Sequence, residues 1–296
     1  MNLGIQRRAV AVTSGVLGLV LAALVGGCTS GSDGEVGTAP GSTKVGSAPG
    51  PTEVGTGAGP PSIALRPGLS HLHGLHVTDI GTLLAGTHTG LFAIDPVTGA
   101  TSRVGDSDDD FMGLTGVAGS DTLYSSGHPG RSSSAPNPLG LRASTDGGRT
   151  WTEKSLVGQV DFHALTTNGD ILVGFDGTTG LRVSSDGGAT WSPGAALAAQ
   201  SLTTTDTGVW AVTARGLERS TDDARSFSPV PEAPSLVMIA GAAQAIWGID
   251  ENGYAWHSRD GAAWRQSSYV GPAEALIAID NTTAYAATGE TLRMLS

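Results

Sequence analysis

The sequence predicts an all-β fold for residues 62–296, a β-propeller of six blades. An eight-residue motif, Ser-x-Asp-Gly-Gly-x-Thr-Trp, occurs at Ser144–Trp151 and Ser184–Trp191, and weaker copies occur at Ser220–Phe227 and Ser258–Trp264. The aspartates of the four copies are 40, 36 and 38 residues apart (146, 186, 222 and 260). That spacing is typical of a propeller blade, which holds four strands in about 40 residues.

The strands between these motifs follow from short alternating runs. Leu75–Val77, Thr82–Gly86 and Gly90–Ile94 are apolar stretches bounded by Gly, Asp and Thr, as expected for strands that end in tight turns. Read in this way, the six units begin near His71, Asp110, Asp161, Ser201, Ser235 and Glu274. The last unit has room for only three strands, so we expect Ser62–Arg66 to supply its outer strand and close the ring.

The first part of the chain has the composition of a targeting segment. Arg7 and Arg8 precede an apolar run, Ala9–Val25, and Leu24-Val25-Gly26-Gly27-Cys28 resembles a bacterial lipobox. This predicts a lipoprotein signal peptide at 1–27, lipidation of Cys28, and a cell-membrane location on the outer, extracytoplasmic side. A transmembrane anchor is the alternative, although the apolar run is short for a span.

Residues 28–61 are predicted to be a flexible linker between the lipid anchor and the propeller. The segment 29–61 is mostly Gly, Ser, Thr, Pro and Ala and lacks aromatic residues, Leu and Ile. Such a composition buries too little apolar surface to offset the entropy of ordering.

Charge and cysteine content exclude several classes of protein. The formal net charge of −11 argues against a nucleic-acid partner, which would need clustered Lys and Arg. A single Cys excludes a disulfide framework within one chain and any cysteine-based zinc cluster.

The repeated motif resembles the Asp-box (BNR repeat) of sialidase-like propellers. Its aspartates, Asp146, Asp186, Asp222 and Asp260, are predicted to be structural, since a carboxylate accepts backbone N–H bonds in a tight turn while Gly takes a positive φ. A calcium site is the alternative for these residues. The motif is informative about fold and says little about function.

Further motifs resemble a family of exported bacterial propellers labelled glycosyl hydrolases. They are His71-Leu-His-Gly-Leu75, Thr87-His-Thr-Gly-Leu91, Asp110-Phe-Met-Gly-Leu114, Ser126-Gly-His-Pro-Gly130, Asn137-Pro-Leu-Gly-Leu141 and Val160-Asp-Phe-His-Ala-Leu165. The resemblance implies no established substrate. More distantly the chain is similar to photosystem assembly factors and sortilin-type receptors, which use Asp-box propellers for binding.

The histidines are concentrated on one face of the predicted ring. With strands A to D counted outwards, B–C loops and D–A connections share what we call the upper face, and the Asp-box turns lie on the lower face. Five of the seven histidines are expected at the upper face in blades one to three: His71, His73, His88, His128 and His163.

A metal site is the first functional hypothesis for this face. Imidazole suits copper and zinc, and a thioether favours Cu(I). The predicted ligands are His73, His88, Met112, His128 and His163, with Asp110 and Asp161 beside them, and the implied cofactor is copper or zinc. The alternative is that the histidines only brace neighbouring loops.

Two further hypotheses remain open. A glycoside hydrolase would use Asp110 and Asp161 as its carboxyl pair, although the upper face lacks the three arginines of a sialidase. A binding module would present the face, with His71 and Asp176 as contacts, to an envelope protein, a peptide or a glycan.

Overall fold

A computed structural model describes residues 61–296 of the chain, and every regular element in this part is a β-strand. The predicted signal peptide, Cys28 and the predicted linker up to residue 60 lie outside the described residues. Within the described part, no helix is long and apolar enough to cross a membrane.

The strands form six antiparallel four-stranded sheets, one for each blade. Blade one contains β2 (Leu72–Val77), β3 (Leu83–Thr87), β4 (Gly90–Ile94) and β5 (Thr101–Val104). Blade two contains β6 (Asp110–Gly116), β7 (Leu123–His128), β8 (Leu141–Ser144) and β9 (Thr152–Ser155). Blade three contains β10 (Ala164–Thr167), β11 (Leu172–Phe175), β12 (Leu181–Ser184) and β13 (Ser192–Pro193).

The other three blades have the same order of strands. Blade four contains β14 (Ser201–Thr205), β15 (Gly208–Thr213), β16 (Gly216–Ser220) and β17 (Ser228–Pro229). Blade five contains β18 (Leu236–Ala242), β19 (Ala245–Asp250), β20 (Tyr254–Ser258) and β21 (Arg265–Tyr269). Blade six contains β22 (Ala275–Ala278), β23 (Ala284–Ala287), β24 (Thr291–Leu295) and, as its outer strand, β1 (Ser62–Ala64).

The N-terminal strand closes the ring, as the sequence predicts. In β1, Ile63 pairs with Leu292 of β24 in antiparallel register. The chain then continues towards blade one, where the Arg66 N–H donates to the Gly99 carbonyl at 2.8 Å. Gly99 has φ of +74°, and a Cβ there would lie 2.1 Å from the Ala64 carbonyl oxygen, so only glycine permits this close approach.

The hydrophobic core lies between the blades. The described residues form six apolar clusters, and each joins two adjacent blades. The cluster between blades six and one includes Leu65, Leu72 and Leu292, so the residue that follows β1 is part of the core. Because every sheet buries both of its faces against neighbours, the strands are rich in apolar residues on both sides.

The Asp-box turns connect strands C and D of blades two to five. In the first, Asp146 accepts hydrogen bonds from the Thr150 N–H at 2.9 Å and the Ser144 hydroxyl at 2.7 Å. Asp186 and Asp222 accept the equivalent bonds. The shortened fourth box differs, since Asp260 accepts the Ala262 N–H at 2.9 Å. Each turn is therefore held by its own side chains.

Candidate functional site

The starts of strand A in the first three blades share one pattern. A buried apolar residue, Leu72, Phe111 or Phe162, lies between two polar or sulfur-containing residues, and each of the three is fully buried. Since alternate residues of an extended chain point to opposite sides, the flanking residues share the other side. Register shifts at Leu72/Gly74 and Asp110/Gly113 mark bulges there, which turn the flanking side chains.

His73, His88 and Asp110 lie together at the upper face, and we call them the first histidine group. His73 Nε2 is 3.2 Å from His88 Nδ1. His88 Nδ1 is 2.8 Å from Asp110 Oδ2, and His73 Nε2 is 3.4 Å from Asp110 Oδ1. His88 belongs to the B–C loop of blade one and Asp110 begins blade two, so the group joins two blades.

Asp110 is an ionised carboxylate in a largely enclosed place. Its side chain is 17% exposed, and burial alone would raise its pKa. Hydrogen bonds and positive charge from His73 and His88 outweigh that effect and hold the pKa of Asp110 below its ordinary value. Its Oδ1 is buried and, among the described residues, has no hydrogen-bond partner of good geometry.

His71 extends the first histidine group towards blade six. Its ring lies 5.0 Å from that of His73, centroid to centroid, and its Nδ1 is 3.3 Å from Glu274 Oε1. The other oxygen of Glu274 accepts the Leu72 N–H at 2.9 Å, so the carboxylate of blade six also fixes the start of blade one.

His128, His163 and Asp161 form a second histidine group, between blades two and three. Asp161 Oδ2 is 3.2 Å from His128 Nε2 and 3.1 Å from His163 Nε2. The Asp161 side chain is 12% exposed, whereas those of the two histidines are 45% and 55% exposed. The structure thus divides the predicted ligands into two groups, each of two imidazoles on one carboxylate.

Both groups arise because a B–C loop lies against the strand start of the next blade. Within blade two, Gly127 allows the end of strand B to pass close to the start of strand A: its φ is +144°, and a Cβ there would lie 1.9 Å from the Asp110 carbonyl oxygen. In the same blade, the buried carboxylate of Asp109 accepts the Gly130 N–H at 2.7 Å and forms an ion pair with Arg142. Asp109 is therefore a brace for the loop that carries His128.

Met112 and Asp176 belong to neither histidine group. Met112 lines a central channel of about 800 Å³ together with His73 and His163. Asp176 lies in the B–C loop of blade three, where it accepts hydrogen bonds from Thr178 and pairs with Arg182 at 3.3 Å. Burial would raise the pKa of Asp176, but these partners lower it. Whether Met112 binds a metal, or His71 and Asp176 a ligand, stays a prediction.

Sequence reasoning missed two side chains that position histidines. Asn137 Oδ1 is 2.7 Å from His128 Nδ1, and Glu274 holds His71. Glu274 begins blade six as His71 begins blade one, so equivalent positions in the repeat could have indicated it. Asn137 lies in an insertion between β7 and β8 that no other blade shares. Its position therefore cannot be inferred by aligning it with a residue of another blade.

The comparisons with known proteins show the fold alone. No protein-family model matches the chain, and neither does any curated protein. Among solved structures, the selenomethionine-substituted virginiamycin B lyase of Staphylococcus aureus is 14% identical with a TM-score of 0.53, over 80% of this chain and 98% of that one. The GH74 xyloglucanase of Xanthomonas campestris is 18% identical with a TM-score of 0.52, over 77% of this chain and 43% of that one.

A third similar structure is YCF48 bound to D1 peptide, which is 14% identical with a TM-score of 0.51, over 80% of this chain and 96% of that one. The chain is therefore a six-bladed β-propeller, structurally similar to those of a lyase, a xyloglucanase and a peptide-bound protein, and its function has to be argued from its own residues.

Proposed function

We propose that the upper face binds a divalent transition-metal ion, zinc or copper, through His73, His88 and Asp110. The observation that carries the proposal is the convergence of one donor atom from each residue, all within 4.8 Å of one another. Among the described residues this is the only such group of His, Cys, Asp or Glu.

The separations are short enough for one ion to bridge the three residues. Zinc bonds of about 2.0–2.1 Å to nitrogen and oxygen place neighbouring ligand atoms about 3.3 Å apart. The nitrogen–nitrogen separation is 3.2 Å. Each nitrogen lies near a different oxygen of Asp110, His88 Nδ1 at 2.8 Å from Oδ2 and His73 Nε2 at 3.4 Å from Oδ1. A turn of the Asp110 carboxylate that brings one oxygen to about 3.3 Å from both nitrogens would complete three corners of a tetrahedron.

The electrostatics also favour a cation. His88 Nδ1 lies within hydrogen-bond distance of both His73 Nε2 and Asp110 Oδ2, so without a metal ion these contacts depend on the protons of the two imidazoles. A divalent ion bound in place of those protons would accept a lone pair from each of the three residues at once. Since the His88 side chain is 48% exposed, one side of the group is open to water or to a ligand.

Glycoside hydrolysis is less well supported by the same geometry. A hydrolase of this kind needs one carboxyl group whose pKa is raised, so that it can donate a proton at neutral pH. The pKa of Asp110 is shifted in the opposite direction by its two histidines. No observation at the upper face favours hydrolysis over metal binding.

The cellular setting of this function is part of the proposal. The lipobox-like sequence ending at Cys28 and the Gly/Ser/Pro-rich segment after it support a lipid-anchored protein on the outer side of the cell membrane. In that setting the propeller would bind metal ions at the cell envelope.

Isothermal titration of the metal-free protein with ZnCl2 and with CuSO4 tests the proposal. We expect His73→Ala and Asp110→Asn to weaken the tightest binding by at least about tenfold, because each removes one of three protein ligands. His257→Ala is the matched control, since His257 lies in β20, stacked on Trp247 of β19 and away from the upper face. Equal affinity in all four proteins would contradict the proposal.

A further inference from the structure

The second histidine group contains a buried carboxylate oxygen to which no described residue donates a hydrogen bond. Asp161 carries two oxygens in an enclosed position, and Oδ1 is buried without a hydrogen-bond partner among the described residues. Oδ2 lies 3.2 Å from His128 Nε2 and 3.1 Å from His163 Nε2. A buried carboxylate oxygen that accepts no hydrogen bond is costly unless a cation lies close to it.

Asn137 determines which nitrogen of His128 carries the hydrogen. The amide oxygen of Asn137 can only accept, so the His128 Nδ1–H donates to it across 2.7 Å. In neutral His128 the lone pair is then on Nε2, which faces a second acceptor, Asp161 Oδ2, at 3.2 Å. Two acceptor atoms at this distance need either a proton or a metal ion between them.

His128 is arranged like a metal-binding histidine whose second ring nitrogen is hydrogen-bonded to another residue, which we call its outer partner. Metal-binding histidines usually donate their other N–H to a carbonyl or carboxylate group, which fixes the tautomer and the direction of the lone pair. His128 meets this description, with Asn137 as the outer partner and Nε2 directed at Asp161. His163 reaches the same oxygen from the next blade start at 3.1 Å.

The second histidine group is more open than the first. The donor atoms of His128, His163 and Asp161 do not all lie within 4.8 Å of one another, unlike those of the first histidine group. However, the side chains of His128 and His163 are 45% and 55% exposed, so both rings have room to turn towards a common ion. Such a turn lowers affinity, because part of the binding free energy is used to reorient the rings.

We propose that Asp161, His128 and His163 form a second, weaker site for a divalent transition-metal ion, separate from the first histidine group. The two sites are neighbours, since Asp110 and His128 are cross-strand partners at the ends of β6 and β7. The chain then binds two ions per molecule in two steps, the first at the site between blades one and two. The second site does not depend on the first being correct.

The test is a zinc titration of the full chain, followed by calorimetry and by metal analysis at saturation. The native protein is expected to bind two ions, one at least about tenfold more weakly. His163→Ala, at a half-exposed position, and Asp161→Asn should remove the weaker step and retain the tighter one. Asp110→Asn should do the reverse.

Asn137→Ala separates a metal site from a protonated ion pair. Losing the outer partner should weaken the second step by about tenfold or more and leave the first unchanged. Asp170→Asn, at an exposed turn in blade three, is the control and should change neither step.

Three results would overturn the second site. They are a native stoichiometry of one whose single step survives in His163→Ala, a weaker step that survives in both His163→Ala and Asp161→Asn, and a weaker step that is the same in Asn137→Ala. Because the tighter step is measured in the same titration, a failure of the first histidine group appears as loss of that step alone.

Discussion

The carboxylate of Asp146 illustrates how a single residue can stabilise a turn through its charge. It accepts hydrogen bonds from Ser144, from the Thr150 N–H and from the Thr150 hydroxyl at 2.6–2.9 Å. The slight burial of Asp146 would raise its pKa, but these hydrogen bonds prevail and lower it to about 2. Because the pKa is lower in the folded than in the unfolded protein, the stabilisation is present above about pH 4 and is lost as the pH falls towards 2.

Asp146→Asn is therefore expected to lower the melting temperature by a few degrees at pH 7 and by less near pH 2. At low pH the native carboxylate becomes protonated, so the two proteins become more alike. Thermal melts of both proteins from pH 7 to pH 2 measure the difference. Asp170→Asn is the control, and a gap between native protein and Asp146→Asn that is constant with pH would contradict the explanation.

At the same scale, the sequence predicted which residues gather at the upper face but not how they pair. The Asp-box repeat gives the position of each blade start, so His73, His88, Asp110, His128 and His163 could be placed together. The pairing depends on the angle between neighbouring blades, which brings a B–C loop against the next strand start. Spacing along the chain contains no information about that angle.

Among the elements, the short strand β1 has an importance out of proportion to its three residues. It supplies the outer strand of blade six, and the residues after it continue into the core between blades six and one. The sequence predicted this role because the last repeat lacked one strand. It did not predict the close contact at Gly99, which arises only when the ring is closed.

Leu65→Ala tests the ring closure, since Leu65 is 5% exposed in the cluster between blades six and one. Truncation of a buried leucine is expected to lower the free energy of unfolding by about 2–4 kcal/mol. Val97→Ala is the control, because Val97 is 82% exposed and its truncation should change stability by less than about 0.5 kcal/mol. Urea denaturation of both variants gives the comparison, and equal losses would mean that β1 and Leu65 do not close the ring.

In the molecule as a whole, the chemistry of the upper face is uneven while the architecture is regular. Six similar interfaces hold six similar blades, yet among the described residues the imidazoles of the upper face all come from blades one to three. The other blade starts that face the channel, such as Ser201 and Leu202, carry no imidazole. A regular ring would tolerate such residues anywhere, so their grouping supports a local function.

The most direct test of the proposed metal site is an anomalous-diffraction measurement on crystals soaked in ZnCl2, with data collected above and below the zinc absorption edge. We expect an anomalous peak about 2.0–2.1 Å from His73 Nε2, His88 Nδ1 and an Asp110 oxygen, absent from crystals of His88→Ala. No peak at the first histidine group in zinc-soaked native crystals would contradict the assignment.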